Sequence, residues 1–254
     1  MVSESAQSTL LRSLIVADVH ANLEALESVI VDAGKNGGFD QVWSLGDIVG
    51  YGANPAECIE LLREYDAMGI AGNHDLAACG KIAPDGFSKD ATAAVWWTIS
   101  KLTFEQYTYL RDLPLSMQME SFTLVHGSAR APFWSEYVET AESARVSFDL
   151  MSTPRCLVGH SHRQLMWLDH GGSVSLQKPP IDTPIVLGAN RLIINPGAVG
   201  QPRDADPRAS YAVYDSRDMV VTFHRVAYDR PATQHKMQEA GLPQYLWTRL
   251  EYGL

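Results

Sequence analysis

Short apolar runs that stop at polar loops recur along the chain. Six such runs stand out, at residues 14–17, 42–45, 68–71, 122–125, 156–158 and 192–194. Their length favours buried β-strands, although periodicity alone does not separate a buried strand from a piece of buried helix. The residues after each run must decide between the two.

Helical patterns follow the first two runs. Asn22 is a suitable N-cap for a helix that extends to Ala33, in which apolar residues recur at helical spacing at Leu23, Leu26, Val29 and Ile30. Asn54-Pro55 marks a second helix start, with proline at the first helical position. The order β-α-β-α-β predicts a mainly parallel sheet.

The second half of the chain has a different pattern. Residues 88–113 are predicted to be helical, and the expected buried positions are Trp96, Trp97, Ile99, Leu102, Tyr107 and Leu110. Beyond residue 115, short alternating strands and turns predict a second, partly antiparallel sheet. The expected fold is α/β, a four-layer α/β/β/α sandwich of two mixed sheets flanked by helices. Residues 1–254 form one domain in this prediction, with 1–9 disordered and 231–254 a helical tail interrupted at 241–243.

Composition and charge narrow the functional classes. The chain has 254 residues, 46% of them hydrophobic, and a net charge of −10 without clustered Lys or Arg. A partner such as long nucleic acid, which needs a basic stripe, is therefore not expected. The three cysteines, Cys58, Cys79 and Cys156, form no C-x-x-C pair and predict free thiols in a reducing compartment. With neither a signal-like start nor a membrane-length apolar stretch, the expectation is a soluble cytoplasmic protein without a membrane partner.

Potential metal ligands are concentrated in the loops that follow the predicted strands. The loops contain Asp18-x-His20, Gly46-Asp47, Gly72-Asn73-His74-Asp75, His126-Gly127 and Gly159-His160-Ser161-His162. Each fragment alone has an ordinary explanation, since Asp caps helices, Asn and Asp suit turns, and a lone histidine is often a core residue. The carboxyl ends of parallel strands converge on one cleft, however, so the fragments together predict one site.

These motifs, in this order, resemble those of the calcineurin-like metallophosphoesterase superfamily over roughly residues 14–200. The resemblance implies two metal ions that share one carboxylate. It places one ion on Asp18, His20 and His162, and the other on Asn73, His126 and His160. Asp47 would bridge both ions, and His74 would remain unligated as the catalytic proton donor or transition-state contact.

Elementary chemistry agrees with a two-metal site. Two divalent ions about 3.5–4 Å apart can clamp the attacking and leaving oxygens of an in-line displacement. They repel each other and so need a shared carboxylate such as Asp47. Oxygen and nitrogen ligands without thiolate suit Mn, Fe, Zn or Co, with Mn favoured here. In the expected mechanism a hydroxide that bridges the ions attacks phosphorus, and His74 stabilises or protonates the leaving oxygen.

Departures from the family patterns bear on the substrate. Phosphoprotein phosphatases of this superfamily carry G-D-x-x-D-R-G, whereas this chain has Gly50 and Tyr51 at the last Asp and Arg positions. A protein phosphatase role is therefore disfavoured, and the group that orients His74 is unassigned, with Asp75 as one candidate. Residues 195–211 resemble a small bacterial and archaeal branch that includes phosphodiesterases and enzymes similar to diadenosine tetraphosphate hydrolases.

Three residues are candidates for substrate binding. Arg203 and Arg208 can grip a phosphoryl group, unless they lie on a solvated face, and Tyr51 can stack on a base. Packing is the expected role of this and other aromatic residues, at positions 133, 134 and 137. The leading hypothesis is hydrolysis of a small phosphodiester or nucleotide polyphosphate. The alternatives are a phosphomonoesterase acting on a small metabolite or phosphopeptide, and a non-catalytic metal-binding scaffold of the same fold.

Overall fold

The computed structural model describes residues 11–254, so the disorder predicted for residues 1–9 lies outside the described residues. The first three strands of this part of the chain alternate with helices, as the pattern of apolar runs predicts. The strands are β1 (Arg12–Val16), β2 (Gln41–Ser44), β3 (Met68–Gly69), β4 (Ser116–Met119), β5 (Phe122–Val125), β6 (Arg155–Leu157), β7 (Gln164–Asp169), β8 (Val174–Gln177), β9 (Ile185–Val186), β10 (Arg191–Pro196), β11 (Ala209–Asp215) and β12 (Val220–Val226).

Helices connect the parallel strands and cover the sheets. They are α1 (Leu23–Lys35), α2 (Pro55–Glu64), α3 (Asn73–Ala78), α4 (Lys89–Ile99), α5 (Phe104–Asp112), α6 (Ala141–Leu150), α7 (Arg230–Glu239) and α8 (Gln244–Thr248), with short 3-10 turns at Pro84–Gly86 and Arg249–Glu251. Asn22 caps α1 as predicted, because its side chain accepts a hydrogen bond from the Ala25 amide.

Two mixed sheets form the centre of the fold. The first has the strand order β3-β2-β1-β11-β12-β9, and the second has the order β4-β5-β6-β10-β7-β8. In the first sheet β1, β2 and β3 run parallel, and β11 and β12 add antiparallel strands. In the second, β5, β6 and β10 are parallel to one another. The carboxyl ends of these parallel strands carry the loops with the candidate ligands.

The alternation of side chains along β1 shows how the layers pack. Leu14 and Val16 belong to the cluster beneath α1 and α2, whereas Ile15 and Ala17 belong to the cluster between the two sheets. Successive side chains of a strand point to opposite faces, so one strand serves both layers. A third cluster, which includes Phe148 of α6, covers the outer face of the second sheet. The predicted α/β sandwich of two mixed sheets with flanking helices is confirmed.

The prediction for residues 88–113 is correct in type but wrong in detail. Two helices, α4 and α5, occupy this segment, with a break at residues 100–103. Trp96 was expected to be buried, yet 59% of it is exposed. The buried side chains of α4 are small or β-branched, namely Ala91, Ala94, Val95 and Thr98. Because these residues form its inner face, the helix turns Trp96 toward solvent.

None of the helices in residues 11–254 is long and apolar enough to cross a membrane.

Candidate metal centre

Carboxylates and imidazoles from distant parts of the chain meet in one buried cluster. Asp18 and His20 follow β1, Asp47 follows β2, His126 follows β5, and His160 and His162 follow β6. The side chains form two groups, and within each group the potential ligand atoms all lie within 4.8 Å of one another. The first group is Asp18, His20, Asp47 and His162, and the second is Asp47, His126 and His160. Asp47 belongs to both groups. The structure thus brings together all the acidic and histidine residues that the sequence predicts as ligands.

The closest approaches in the cluster are between atoms that bind metals. Asp47 Oδ2 lies 3.3 Å from His126 Nε2 and 3.6 Å from His20 Nε2. His162 Nε2 lies 3.4 Å from Asp18 Oδ1 and 3.2 Å from His20 Nε2. Asp47 therefore stands between the two groups, where a bridging ligand would have to be.

Backbone carbonyls fix the orientation of three of the imidazoles. The Nδ1 atoms of His20, His126 and His162 lie 3.1, 2.7 and 2.6 Å from the carbonyl oxygens of Val49, Leu45 and Gln201. Each carbonyl accepts a hydrogen bond from a proton on Nδ1 when the imidazole is neutral. Nε2 then carries the free lone pair that a metal requires.

Side-chain and backbone hydrogen bonds also fix the loop of His160 and His162. Asn195, at the end of β10, donates from Nδ2 to the Gly159 carbonyl at 2.7 Å and to Ser161 Oγ at 3.1 Å. The His160 amide donates to the Asp18 carboxylate. The sequence identified Asn195 only as part of a branch-specific motif, and its positioning role follows from the folded structure.

Burial and mutual charge perturb the titration of the cluster. Burial raises the pKa of Asp18 to about 7. Burial disfavours the charge of Asp47 as well, but His126 and His74 hold the pKa of that carboxyl well below its usual range. The Asp47 carboxylate outweighs burial at His126 and raises its pKa to about 9. A divalent cation bound here would displace these protons and favour the carboxylate forms and the neutral imidazoles.

Helix α3 begins in the cluster and presents Asn73 and His74. Asn73 Oδ1 is buried and has no hydrogen-bond partner in residues 11–254. The His74 amide donates to Asp47 Oδ1 at 2.8 Å, which ties the helix start to the central carboxylate. Asp75 accepts from the amides of Gly72 and Val49, so it caps the helix and does not orient the His74 ring.

The His74 ring is held by packing. Its centroid lies 4.4 Å from the Tyr51 ring, 4.7 Å from Phe87 and 4.8 Å from His20. Burial lowers the pKa of His74 to about 4, so the ring is neutral at pH 7. Gly50, at the position of the orienting Asp in phosphoprotein phosphatases, lies against Nδ1, and that nitrogen has no hydrogen-bond partner among the described residues.

A pocket of about 610 Å³ opens beside the cluster. Asp47, Asn73, His74, His160 and His162 line its inner end. Aromatic and cationic side chains also line it, and these are Tyr51, Phe87, Trp134, Tyr137, Tyr245, Arg203 and Arg249. Tyr137 stacks on His160 with the ring centroids 4.0 Å apart. Pockets of this size are typical of small-molecule sites.

Two of the three predicted substrate-binding residues lie at the pocket, and the third does not. Tyr51 and Arg203 line the pocket, and Arg203 donates to the Tyr51 hydroxyl at 3.4 Å. Arg208 is not among the lining residues, and its guanidinium forms an ion pair with Asp206. Phe87, Tyr245 and Arg249 were not identified from the sequence, because nothing in their local pattern distinguishes them from other aromatic or basic residues.

The donor set fits a divalent transition metal. Carboxylate oxygens and imidazole nitrogens converge without thiolate, and Asn73 lines the pocket beside them; carboxylate, imidazole and amide groups are donors that Mn, Fe, Zn and Co accept. Asn73 Oδ1 and the Nδ1 atom of the neighbouring His74 are buried without hydrogen-bond partners in the described part of the chain, and Asn73 Oδ1 is the one of these two atoms that is a predicted ligand. Unpaired buried polar atoms are costly, so a metal ion that bound Asn73 Oδ1 would satisfy it.

Comparison with known families agrees with the site. The model of the calcineurin-like phosphoesterase superfamily domain matches residues 11–219. The chain belongs to this superfamily. The resemblance drawn from the loop motifs is therefore confirmed, and the hydrolase class follows from it.

Two similar proteins cover most of this chain. A metallophosphoesterase from Sphaerobacter thermophilus has a crystal structure that is 46% identical, with a TM-score of 0.87 over 97% of this chain and 100% of that one. An uncharacterized protein of Methanocaldococcus jannaschii is 34% identical over 94% of this chain and 97% of its own length.

The similarity to tetraphosphatases is more distant. A symmetrical bis(5'-nucleosyl)-tetraphosphatase of Actinobacillus pleuropneumoniae is 28% identical over 52% of this chain, and the match spans 49% of that enzyme. The predicted likeness to the diadenosine tetraphosphatase-like branch is confirmed at this level.

Proposed function

We propose that this phosphoesterase hydrolyses a small phosphodiester or a nucleotide polyphosphate with two divalent metal ions bound in the buried cluster. One observation carries the proposal: residues of the Asp and His cluster line a pocket whose walls also carry aromatic rings and two guanidinium groups. Aromatic walls suit a planar base or aryl group, and guanidinium suits phosphoryl oxygens.

Seven residues hold the metals in this proposal. Asp18, His20 and His162 bind one ion, Asn73, His126 and His160 bind the other, and Asp47 lies between them, with manganese as the favoured metal. Bound divalent ions supply Lewis-acid activation of a water molecule and of the phosphoryl oxygens. The backbone carbonyls that hold three of the imidazoles keep the ligand nitrogens aimed inward before any metal arrives.

His74 and Arg203 act on the substrate. His74 faces the pocket next to Asp47, and its neutral ring donates a hydrogen bond to the leaving oxygen. Arg203 binds phosphoryl oxygens, in place of the arginine that phosphoprotein phosphatases carry at the position of Tyr51. Its guanidinium lies 5.9 Å from the Tyr51 ring centroid, so the cation reaches the same region from another loop.

The test compares three substrates on metal-stripped protein before and after Mn²⁺ is restored. These are bis(p-nitrophenyl) phosphate, p-nitrophenyl phosphate and diadenosine tetraphosphate. We expect Mn²⁺-dependent turnover concentrated on the diester or the dinucleotide. A preference for the monoester would favour the phosphomonoesterase alternative, and bound metal without turnover on any substrate would favour the scaffold.

Two variants test the assigned roles. Asp47→Ala should fail to retain Mn²⁺ after gel filtration, because both ions lose a ligand. His74→Ala should retain Mn²⁺ and lose turnover by about 10²–10³-fold, the usual cost of removing one hydrogen-bond donor to the transition state. His235→Ala is the matched control, since this histidine is exposed and pairs with Glu239 on the surface of α7. Normal metal content and turnover in both site variants would contradict the assignment.

A further inference from the structure

The C-terminal segment reaches the pocket, although it lies beyond the residues that the family model matches. That match ends at residue 219, whereas Tyr245 of α8 and Arg249 of the following 3-10 turn line the pocket. The sequence pattern predicts only a helical tail in this region. Its two pocket residues therefore need a separate explanation.

Packing of the tail fixes which of its side chains face the pocket. Leu246 and Leu250 are buried in a cluster with Ala94 of α4 and Met237 of α7. Tyr245 and Arg249 each precede one of these leucines, so they share the adjoining face of the helical turn. The Arg249 guanidinium carbon lies 5.1 Å from the Tyr245 ring centroid, which makes the two side chains one unit.

A hydrogen bond joins the tail to the loop that carries Arg203. The Ala205 amide donates to the Gly253 carbonyl at 3.0 Å. An ion pair between Arg230 and Glu251, at 3.6 Å, also ties the last turn to the start of α7. Arg203 and Arg249 are thus held on neighbouring backbone segments at one pocket.

The two arginines lack acidic partners. Neither guanidinium forms an ion pair with an Asp or Glu side chain within residues 11–254, whereas nearby Arg225 pairs with Asp204. Arg203 donates to Gln201 Oε1 and the Tyr51 hydroxyl, and Arg249 donates from Nε to the Leu254 backbone oxygen. Burial and the charge of Arg203 lower the pKa of Arg249. Two guanidinium groups at one pocket, neither paired with an Asp or Glu side chain of residues 11–254, favour an anion between or beside them.

We propose that Arg249 binds a second phosphoryl group of the substrate, next to the phosphoryl group at the metal cluster, that Arg203 contacts both groups, and that Tyr245 forms an aromatic wall beside them. The inference rests on the proposed function and narrows its substrate class to molecules with at least two phosphoryl groups. It also gives the C-terminal segment a role in specificity.

The test is equilibrium binding to the full-length, Mn²⁺-loaded protein by calorimetry. The probes are adenosine α,β-methylene diphosphate, which carries two phosphoryl groups and resists cleavage between them, and AMP, which carries one. Chromatography after each titration verifies that the nucleotides are intact. The wild type should bind the diphosphate about 10-fold or more tightly than AMP, the scale of a charge-assisted contact.

Arg249→Gln should reduce that preference to about twofold or less. Arg249→Lys should restore part of it, because the charge returns without the planar fork. Arg217→Gln is the matched control, since Arg217 is exposed in the turn between β11 and β12 and should keep the wild-type preference.

Three results would overturn the inference: an unchanged preference in Arg249→Gln, no preference in the wild type, or no binding of either nucleotide. Hydrolysis of bis(p-nitrophenyl) phosphate by the wild type is measured separately. If that activity fails while the diphosphate preference still depends on Arg249, the proposed function is wrong and the second phosphoryl site stands.

Discussion

Gly50 offers a direct test of whether packing alone positions His74. It adopts φ of +90°, a left-handed conformation that favours glycine, and its Cα faces the His74 ring. A Cβ at residue 50 would lie 2.4 Å from His74 Nδ1 and 2.9 Å from Cγ. Gly50→Ala therefore pushes on the proposed catalytic ring and removes no candidate ligand.

The structure gives the size of the displacement. Ordinary contact begins at 3.4 Å, so the ring must retreat by about 3.4 − 2.4 = 1.0 Å if residue 50 stays in place. A misplacement of about 1 Å can cost about 10²-fold in rate. The left-handed backbone adds about 1–2 kcal/mol of strain for alanine. For a chain of this size that strain lowers the melting temperature by about 2–8 °C.

The assay separates the ring displacement from the backbone strain. Gly171→Ala is the matched control, because Gly171 also has positive φ, +79°, but a Cβ there meets no atom within 4 Å. Both variants should melt a few degrees below the wild type and retain Mn²⁺. Only Gly50→Ala should lose about 10²-fold in turnover of the best substrate. Equal activity in the two variants would refute the reasoning.

Two further predictions address the ligand loop and the cysteines. Asn195→Ala should weaken Mn²⁺ binding by about 10–100-fold, because it frees the Gly159 carbonyl and Ser161 that position His160 and His162; an unchanged Mn²⁺ titration would contradict this. Burial raises the pKa of Cys58 and Cys79, and that of Cys156 to about 12, so a thiol reagent at pH 8 should label none in the folded protein and all three after unfolding. Rapid labelling of the folded chain would show that burial does not protect them.

The order of strands and helices was predictable because apolar periodicity and capping are local properties. The run at residues 14–17 and the cap at Asn22 both appear in the structure where the sequence places them. The orientation of α4 was not predictable in the same way. Trp96 is the larger side chain, but Ala91, Ala94 and Val95 allow α4 to approach the core more closely. Close packing of these smaller side chains determines the buried face of the helix.

The ligand cluster was predictable because strand ends are topologically constrained. Asp18, Asp47 and His160 are distant in sequence, yet the loops after β1, β2 and β6 meet at one edge of the sandwich. The pocket around the cluster follows no such rule. Tyr245 and Arg249 reach the pocket because Leu246 and Leu250 pack against α4 and α7. Ala94 of α4 and Leu250 are about 150 residues apart in the sequence, so no local pattern predicts this contact.

The backbone of the cluster shows why the ligand loops depend on the rest of the fold. Five candidate ligands have positive φ although none is glycine, with Asp18, Asp47, His20, His162 and His160 between 49° and 65°. Such conformations are unfavourable for these residues and persist only where surrounding structure holds them. Here the flanking strands are buried, and backbone bonds such as that from the Asp18 amide to the Gly46 carbonyl, at 3.1 Å, link one loop to the next. The sandwich thus holds strained loops in register with one another, and for that reason ligands from separate strands can converge on one point.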